Sequence, residues 1–163
     1  MRTRTCFFIA CALLGASCGQ RISSGTWNPK SGKFSWGAGE VTLPVGFTYR
    51  EEPSDTFEGR FTSPDGKLVI RHDIGGYAGV YASREGAFFF EEDAVEGARV
   101  WIAKRDQPGR TGARTTLAAV TFPDSGCANF FLESTKAEDA ALINSIARSF
   151  RPKGRTEPGP LCR

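Results

Sequence analysis

One histidine, His72, stands in the whole chain of 163 residues. Any Ser-His-Asp or Cys-His site would have to use it, since no other imidazole exists. Its neighbours Arg71 and Asp73 spoil a local pair, because successive side chains of a strand point to opposite faces. A structural or surface histidine near a strand end is the expectation. Metal-binding spacing is missing too: there is no C-x-x-C and no H-x-x-x-H, which leaves a weak case for zinc. The acidic run Glu91-Glu92-Asp93, with Glu96, lacks the alternating ligand order of a calcium loop and reads as a solvated face. Gly37-Ala38-Gly39 runs on into Glu40-Val41-Thr42, so the last glycine of G-x-G-x-x-G is absent. Ser31-Gly32-Lys33 is followed by Phe34 where a P-loop needs Ser or Thr. No catalytic residue, no metal site and no cofactor are expected.

Long hydrophobic runs are lacking as well. Cys6–Leu14 is the longest uncharged apolar block near the start, and it is far shorter than the roughly 20 residues that cross a bilayer core. Arg2 and Arg4 precede it, and the small residues Gly15, Ala16 and Ser17 follow, which is the pattern of a secretory signal at residues 1–17. Leu14-Gly15-Ala16-Ser17-Cys18 resembles a bacterial lipobox, in which the cysteine is acylated and becomes the first residue. It departs from the usual pattern in carrying Gly15 three positions before the cysteine, with Leu14 one step further back. Lipidation at Cys18 is the expectation, and ordinary cleavage releasing a soluble secreted or periplasmic protein is the alternative. Several acyl chains on one cysteine make a stable anchor, where one alone binds only marginally. Gly19 stands where family resemblance puts Asp in lipoproteins kept at the inner membrane, which favours the outer membrane, facing the periplasm. Residues 18–33, rich in Gly and Ser, then read as the lipidated cysteine and a flexible tether. Gly15-Ala16-Ser17-Cys18-Gly19 also fits G-x-S-x-G, but that motif needs a strand before it and a helix after it, and here it follows a signal segment.

Charge of either sign is not in excess. The net of +3 falls to about +1 once Arg2 and Arg4 leave with the signal. Nucleic-acid binding, which wants a clustered basic face, is not expected. The basic residues that do cluster lie in the Pro/Gly-rich tail, residues 152–163. Of five cysteines, Cys6 and Cys11 go with the signal and Cys18 takes lipid. Cys127 and Cys162 remain as an even pair in an oxidising compartment, and a disulfide between them is expected.

From Phe34 to Arg151 the chain reads as one domain of short strands. "GEVTLPVGFTYR" alternates Val41, Leu43, Val45, Phe47 and Tyr49. "TFEGRFTSPDGKLVIRHD" reads as a hairpin about Ser63-Pro64-Asp65-Gly66. Residues 98–106, 114–123 and 127–135 are further extended runs, and 84–97 is ambiguous between strand and short helix. A closing helix is signalled by the capping-box pattern Thr135-x-x-Glu138 and by Leu142, Ile143, Ile146 and Phe150 at helical spacing, with Pro152 as the stop. Strands closed by a helix suggest an α+β sandwich.

"VTLPVGFTY", "GRFTSPDGKLVIRH", "NFFLES" and "EDAALINSIARSF" together resemble the layout of PsbP-like domains, including bacterial DcrB-type lipoproteins, over about residues 34–151. The resemblance implies an antiparallel sheet packed against helices, an α-β-α sandwich, and roles in binding or assisting larger complexes without catalysis. The matched positions are core and turn residues, so no functional residue follows from them.

One stretch invites attention for binding, "DIGGYAGVYASRE", in which Asp73, Tyr77 and Tyr81 lie on a glycine-rich loop. Tyrosines there would offer wide amphipathic contact area, unless Tyr81 packs inside. Phe88-Phe89-Phe90 reads as mostly core, with one ring pointing outward. The whole chain suggests a lipid-anchored envelope protein that binds or supports an unidentified protein partner. A small-ligand carrier would need a closed cavity between helix and sheet, and an enzyme would need His72.

Overall fold

The computed structural model describes residues 25–75, 78–108, 114–153 and 162. The signal segment, Cys18 and Tyr77 lie outside the described residues. β1 (Gly25–Asn28), β2 (Lys33–Trp36), β3 (Gly39–Thr42) and β11 (Arg151–Pro152) form a four-stranded antiparallel sheet in the order β1-β2-β3-β11. β4 (Thr48–Glu52), β5 (Phe57–Thr62), β6 (Val69–Ile74), β7 (Phe89–Val95), β8 (Ala98–Pro108), β9 (Arg114–Phe122) and β10 (Ala128–Ser134) form a seven-stranded one. Its order is β4-β5-β6-β10-β9-β8-β7. A single helix, α1 (Ala137–Arg148), completes the described chain.

The α+β sandwich with helices on the sheet is therefore overturned: the fold is mostly β, two antiparallel sheets with one short helix. Among the described residues α1 is the single helix, so no second helix makes another layer. The small sheet takes that place. As a sheet it was missed because residues 25–33 read as tether, whereas Gly25–Asn28 is a strand and Asn28–Lys33 is its turn. Asn28 Oδ1 accepts the amides of Lys30 and Ser31, and Gly32 takes a φ of 69°, closing an Asn-Pro-x-x-Gly turn. The domain thus starts by Gly25.

α1 also starts differently from its motif. Lys136 is the cap residue, with no side-chain cap bond, so the Thr135/Glu138 box does not form. Ser134 acts one step earlier, its hydroxyl bonding Asp139 and accepting the Lys136 amide at 3.0 Å. The helix ends at Ser149 before Pro152 is reached, and Pro152 pairs in β11. Its buried stripe is Ala140, Ile143, Ile146 and Ala147, while Leu142 is half-buried and Phe150 packs just beyond it.

Both the small sheet and α1 lie on one face of the large sheet, its inner face. Phe34 meets Phe57, Phe61 and Phe130 across the gap, and Trp36 stacks on Phe150 and donates Nε1–H to the Ser125 carbonyl at 3.1 Å. Phe34, Phe57, Phe61, Phe122, Phe130 and Phe150 are all buried. Each contributes about 1.5–3 kcal/mol through burial, which is why period-two alternation of these residues decides the fold. Residues 84–97, ambiguous in sequence, resolve into the end of a loop at 84–88, the edge strand β7 and the turn to β8.

Candidate functional site

Strand order dictates where the chain must cross. β6 and β7 follow one another in sequence but stand four strand spacings apart, about 19 Å, with β10, β9 and β8 between them. The inner face is already filled, so the connection from Gly75 runs over the outer face. The sequence-predicted binding loop is this crossing. A row of facing residues, Asp73, Asn129, Thr121 and Trp101, lies beneath it, one from each strand from β6 to β8.

Asn129 and Thr121 are buried and fasten the loop. Asn129 Oδ1 accepts the Tyr81 amide at 3.3 Å and the Thr121 hydroxyl at 2.6 Å. Thr121 Oγ1 accepts the Ala82 amide at 3.1 Å, and Asn129 Nδ2 donates to the Asp73 carbonyl at 3.2 Å. The Arg105 guanidinium donates to the Tyr81 carbonyl and to Ser83 Oγ. Tyr81 itself stacks flat on Phe131, with centroids 4.0 Å apart. The loop tyrosine is thus half spent on packing, and no sequence signal distinguished that from an exposed role.

Asp73 is brought close to this loop. Its side chain is buried, Oδ1 has no partner among the described residues, and burial raises its carboxyl above the usual carboxylate range, helped by Glu58 on the neighbouring strand. The Tyr81 phenol is likewise pushed up, by burial first and then by the charges of Asp73 and Glu58.

Past Ala82 the loop leaves the sheet uncovered. Val80, Ala82, Ser83, Arg84, Phe90, Glu92 and Trp101 line an open groove of about 260 Å³ between loop and edge strands. Arg84 lies over the Phe90 ring at 4.8 Å, and Arg99, held by Asp124, lies 5.8 Å from the Trp101 ring. Phe88, at the groove's end of β7, is 63% exposed. Phe89 and Phe90 are each partly buried, so the triple is less of the core than its composition suggested. Trp101 and Arg84 were not singled out in the sequence; only the strand order, which brings the loop of Arg84 over β7 and β8, gives them a common surface.

His72 sits elsewhere and deeper. It is 1% exposed, in mid-strand, ringed by Phe34, Phe57 and Phe130, which corrects the expectation of a strand-end or surface position. Burial depresses its pKa to about 3. An imidazole at that depth offers no face to a substrate. Between α1 and the large sheet the space narrows to a pocket of about 40 Å³, room for a water or so. No group of three or more His, Cys, Asp or Glu side chains among the described residues could hold a metal ion. No helix among them is long and apolar enough to cross a membrane.

Cys127, in a left-handed conformation with φ of 52°, and Cys162 have Cα atoms 5.5 Å apart and sulfurs at bonding distance. This brings Cys162 beside the β9–β10 turn. Comparison with protein-family models, with curated proteins and with solved structures finds no match for this chain.

Proposed function

We propose that this chain is a lipid-anchored cell-envelope protein, tethered through Cys18, which binds a partner protein without catalysis and does so through the groove on the outer face of the large sheet. The observation that supports it best is the composition of that groove. Trp101, Phe90 and Arg84 are the residue types that dominate binding energy in protein interfaces, and here they share one open depression with the exposed Phe88 beside it. The depression lies on the face that the small sheet and α1 leave uncovered, so occupying it disturbs no core contact. A carrier role finds less support, since aromatic rings fill the space where a ligand would lie.

The test is site-specific crosslinking in the native host, with a photoreactive residue at Phe88 and, as control, at Val45, which is equally exposed but lies away from the groove. A discrete adduct at Phe88, abolished by Trp101→Ala and absent at Val45, is the expected result. Equal labelling at both positions would sink the groove reading.

A further inference from the structure

The groove ends at β7, and β7 is the last strand of its sheet. Its backbone is laddered to β8 on one side, and among the described residues no strand pairs with the other. Such an edge is a template for another strand. Resting on the partner-binding reading above, we infer that the partner's binding element is an extended segment, with basic residues alternating with apolar ones, added to the free edge of β7.

Charge selects this occupant. Glu91, Glu92 and Asp93 are consecutive and exposed, and none of them forms an ion pair with a described residue. A second copy pairing through β7 would set these carboxylates against one another, and like charges facing across strands destabilise the pair. A basic strand would be attracted by the same three groups. They also divide between the faces of the sheet. Glu92 faces the outer groove with Trp101, whereas Glu91 and Asp93 border the small inner pocket with Asn144 and Arg148.

Side-chain alternation then gives the segment its pattern. Residues turned inward would meet Glu91, Asp93 and the Asn144 Oδ1, an acceptor that is buried and has no donor among the described residues. Arg148 borders the same pocket but pairs with neither carboxylate, so a cationic side chain would find both of them free of ion pairs with described residues. Residues turned outward would meet Phe90, whose ring suits an apolar or cationic side chain. The acidic run would on its own disfavour stacking of copies of this chain; the unpartnered Asn144 acceptor and the aromatic groove on either side of it do not follow from that role.

The test uses the full chain in detergent and a synthetic peptide alternating lysine with valine and threonine, followed by amide shifts of residues 89–95. The same peptide with glutamate for lysine serves as control. Saturable shifts with the basic peptide alone are expected, weakened at least tenfold in the Glu91→Gln, Glu92→Gln, Asp93→Gln variant, whose changes are all at exposed positions. Two further peptides, N-methylated at alternate amides in one register or the other, separate strand pairing from charge attraction. One of the two should lose binding and the other keep it. Equal binding by both, binding of the acidic peptide, or dimerisation of the chain through β7 would each overturn the inference. Loss of the Phe88 adduct in Trp101→Ala, with its retention in the triple glutamine variant, would overturn it too while the groove reading stands.

Discussion

The Tyr49 hydroxyl lies 3.2 Å from Nε2 of His72, and the other ring nitrogen, Nδ1, is buried with no partner among the described residues. One hydrogen bond and a wall of phenyl rings suit a neutral imidazole and penalise a charged one. The unfolded chain takes a proton near pH 6.5, whereas the folded one resists until about pH 3. The contribution is therefore fully present above 6.5 and is lost as pH falls, by about 1.4 kcal/mol for each unit. Asp73, raised by burial, works in the opposite sense, and Glu40, held at about 2 by Lys33 and Ser35, matters only below about pH 4.5. Denaturant midpoints between pH 6.5 and 4.5 should fall in the native chain and stay flatter in His72→Phe. Parallel slopes would show that His72 is not the titrating group.

Gly59 lies directly opposite His72 on β5. A Cβ there would sit 2.6 Å from His72 Nε2 and 2.9 Å from the Arg50 carbonyl oxygen. Neither can retreat, one being wedged among rings and the other part of the β4 ladder. Gly59→Ala should cost about 1–3 kcal/mol, seen as a lower unfolding midpoint with unchanged cooperativity. A neutral substitution would mean that β4 yields more readily than its pairing suggests.

Cys127 and Cys162 are 35 residues apart in sequence. If they bond in the cell, the crosslink stabilises by about 3–4 kcal/mol in the chain-entropy model. Cys162→Ser removes it while leaving the buried Cys127 in place, so a fall in melting temperature that reducing agent reproduces in the native chain is expected. A melting temperature insensitive to both would show that the thiols are free.

Intact-mass measurement of the chain from its native host addresses Cys18. A mature mass starting at Cys18 with added acyl groups is expected, two protons lighter before reduction than after. An unacylated chain starting at Cys18 or Gly19 would remove the anchor and leave a diffusing protein.

Much of the large sheet was legible in sequence. Ser63-Pro64-Asp65-Gly66 makes the turn between β5 and β6, with Gly66 at a φ of 73°, and the extended runs at 98–106, 114–123 and 127–135 are β8, β9 and β10. The small sheet was read only in part: β3 fell within the alternating run from Gly39, but β1 was taken as tether although Trp27, Phe34 and Trp36 flank a turn motif, because a polar, glycine-rich composition also describes a linker. The groove was beyond reach. Phe90 and Trp101 are eleven positions apart and Arg84 comes from a loop, so only strand order puts them together. Asp73 and Tyr81 were read together on one loop, but Asp73 belongs to β6 and only Tyr81 to the crossing; the two tasks that occupy them, a strand register and a stack on Phe131, depend on partners distant in sequence.

The strand order also has a kinetic consequence. β4, β5 and β6 form one run of sequential neighbours, and β7, β8, β9 and β10 form a second, each assembled from short hairpins. They join only along β6 and β10, where His72 faces Phe130 and Ile70 faces Leu132. Closing that seam brings together residues about sixty positions apart and sets the strands over which the loop between β6 and β7 crosses. Contacts of such long range form late and slowly. The seam is thus the step expected to limit folding, and until it closes the apolar sides of the two half-sheets would be exposed to other copies.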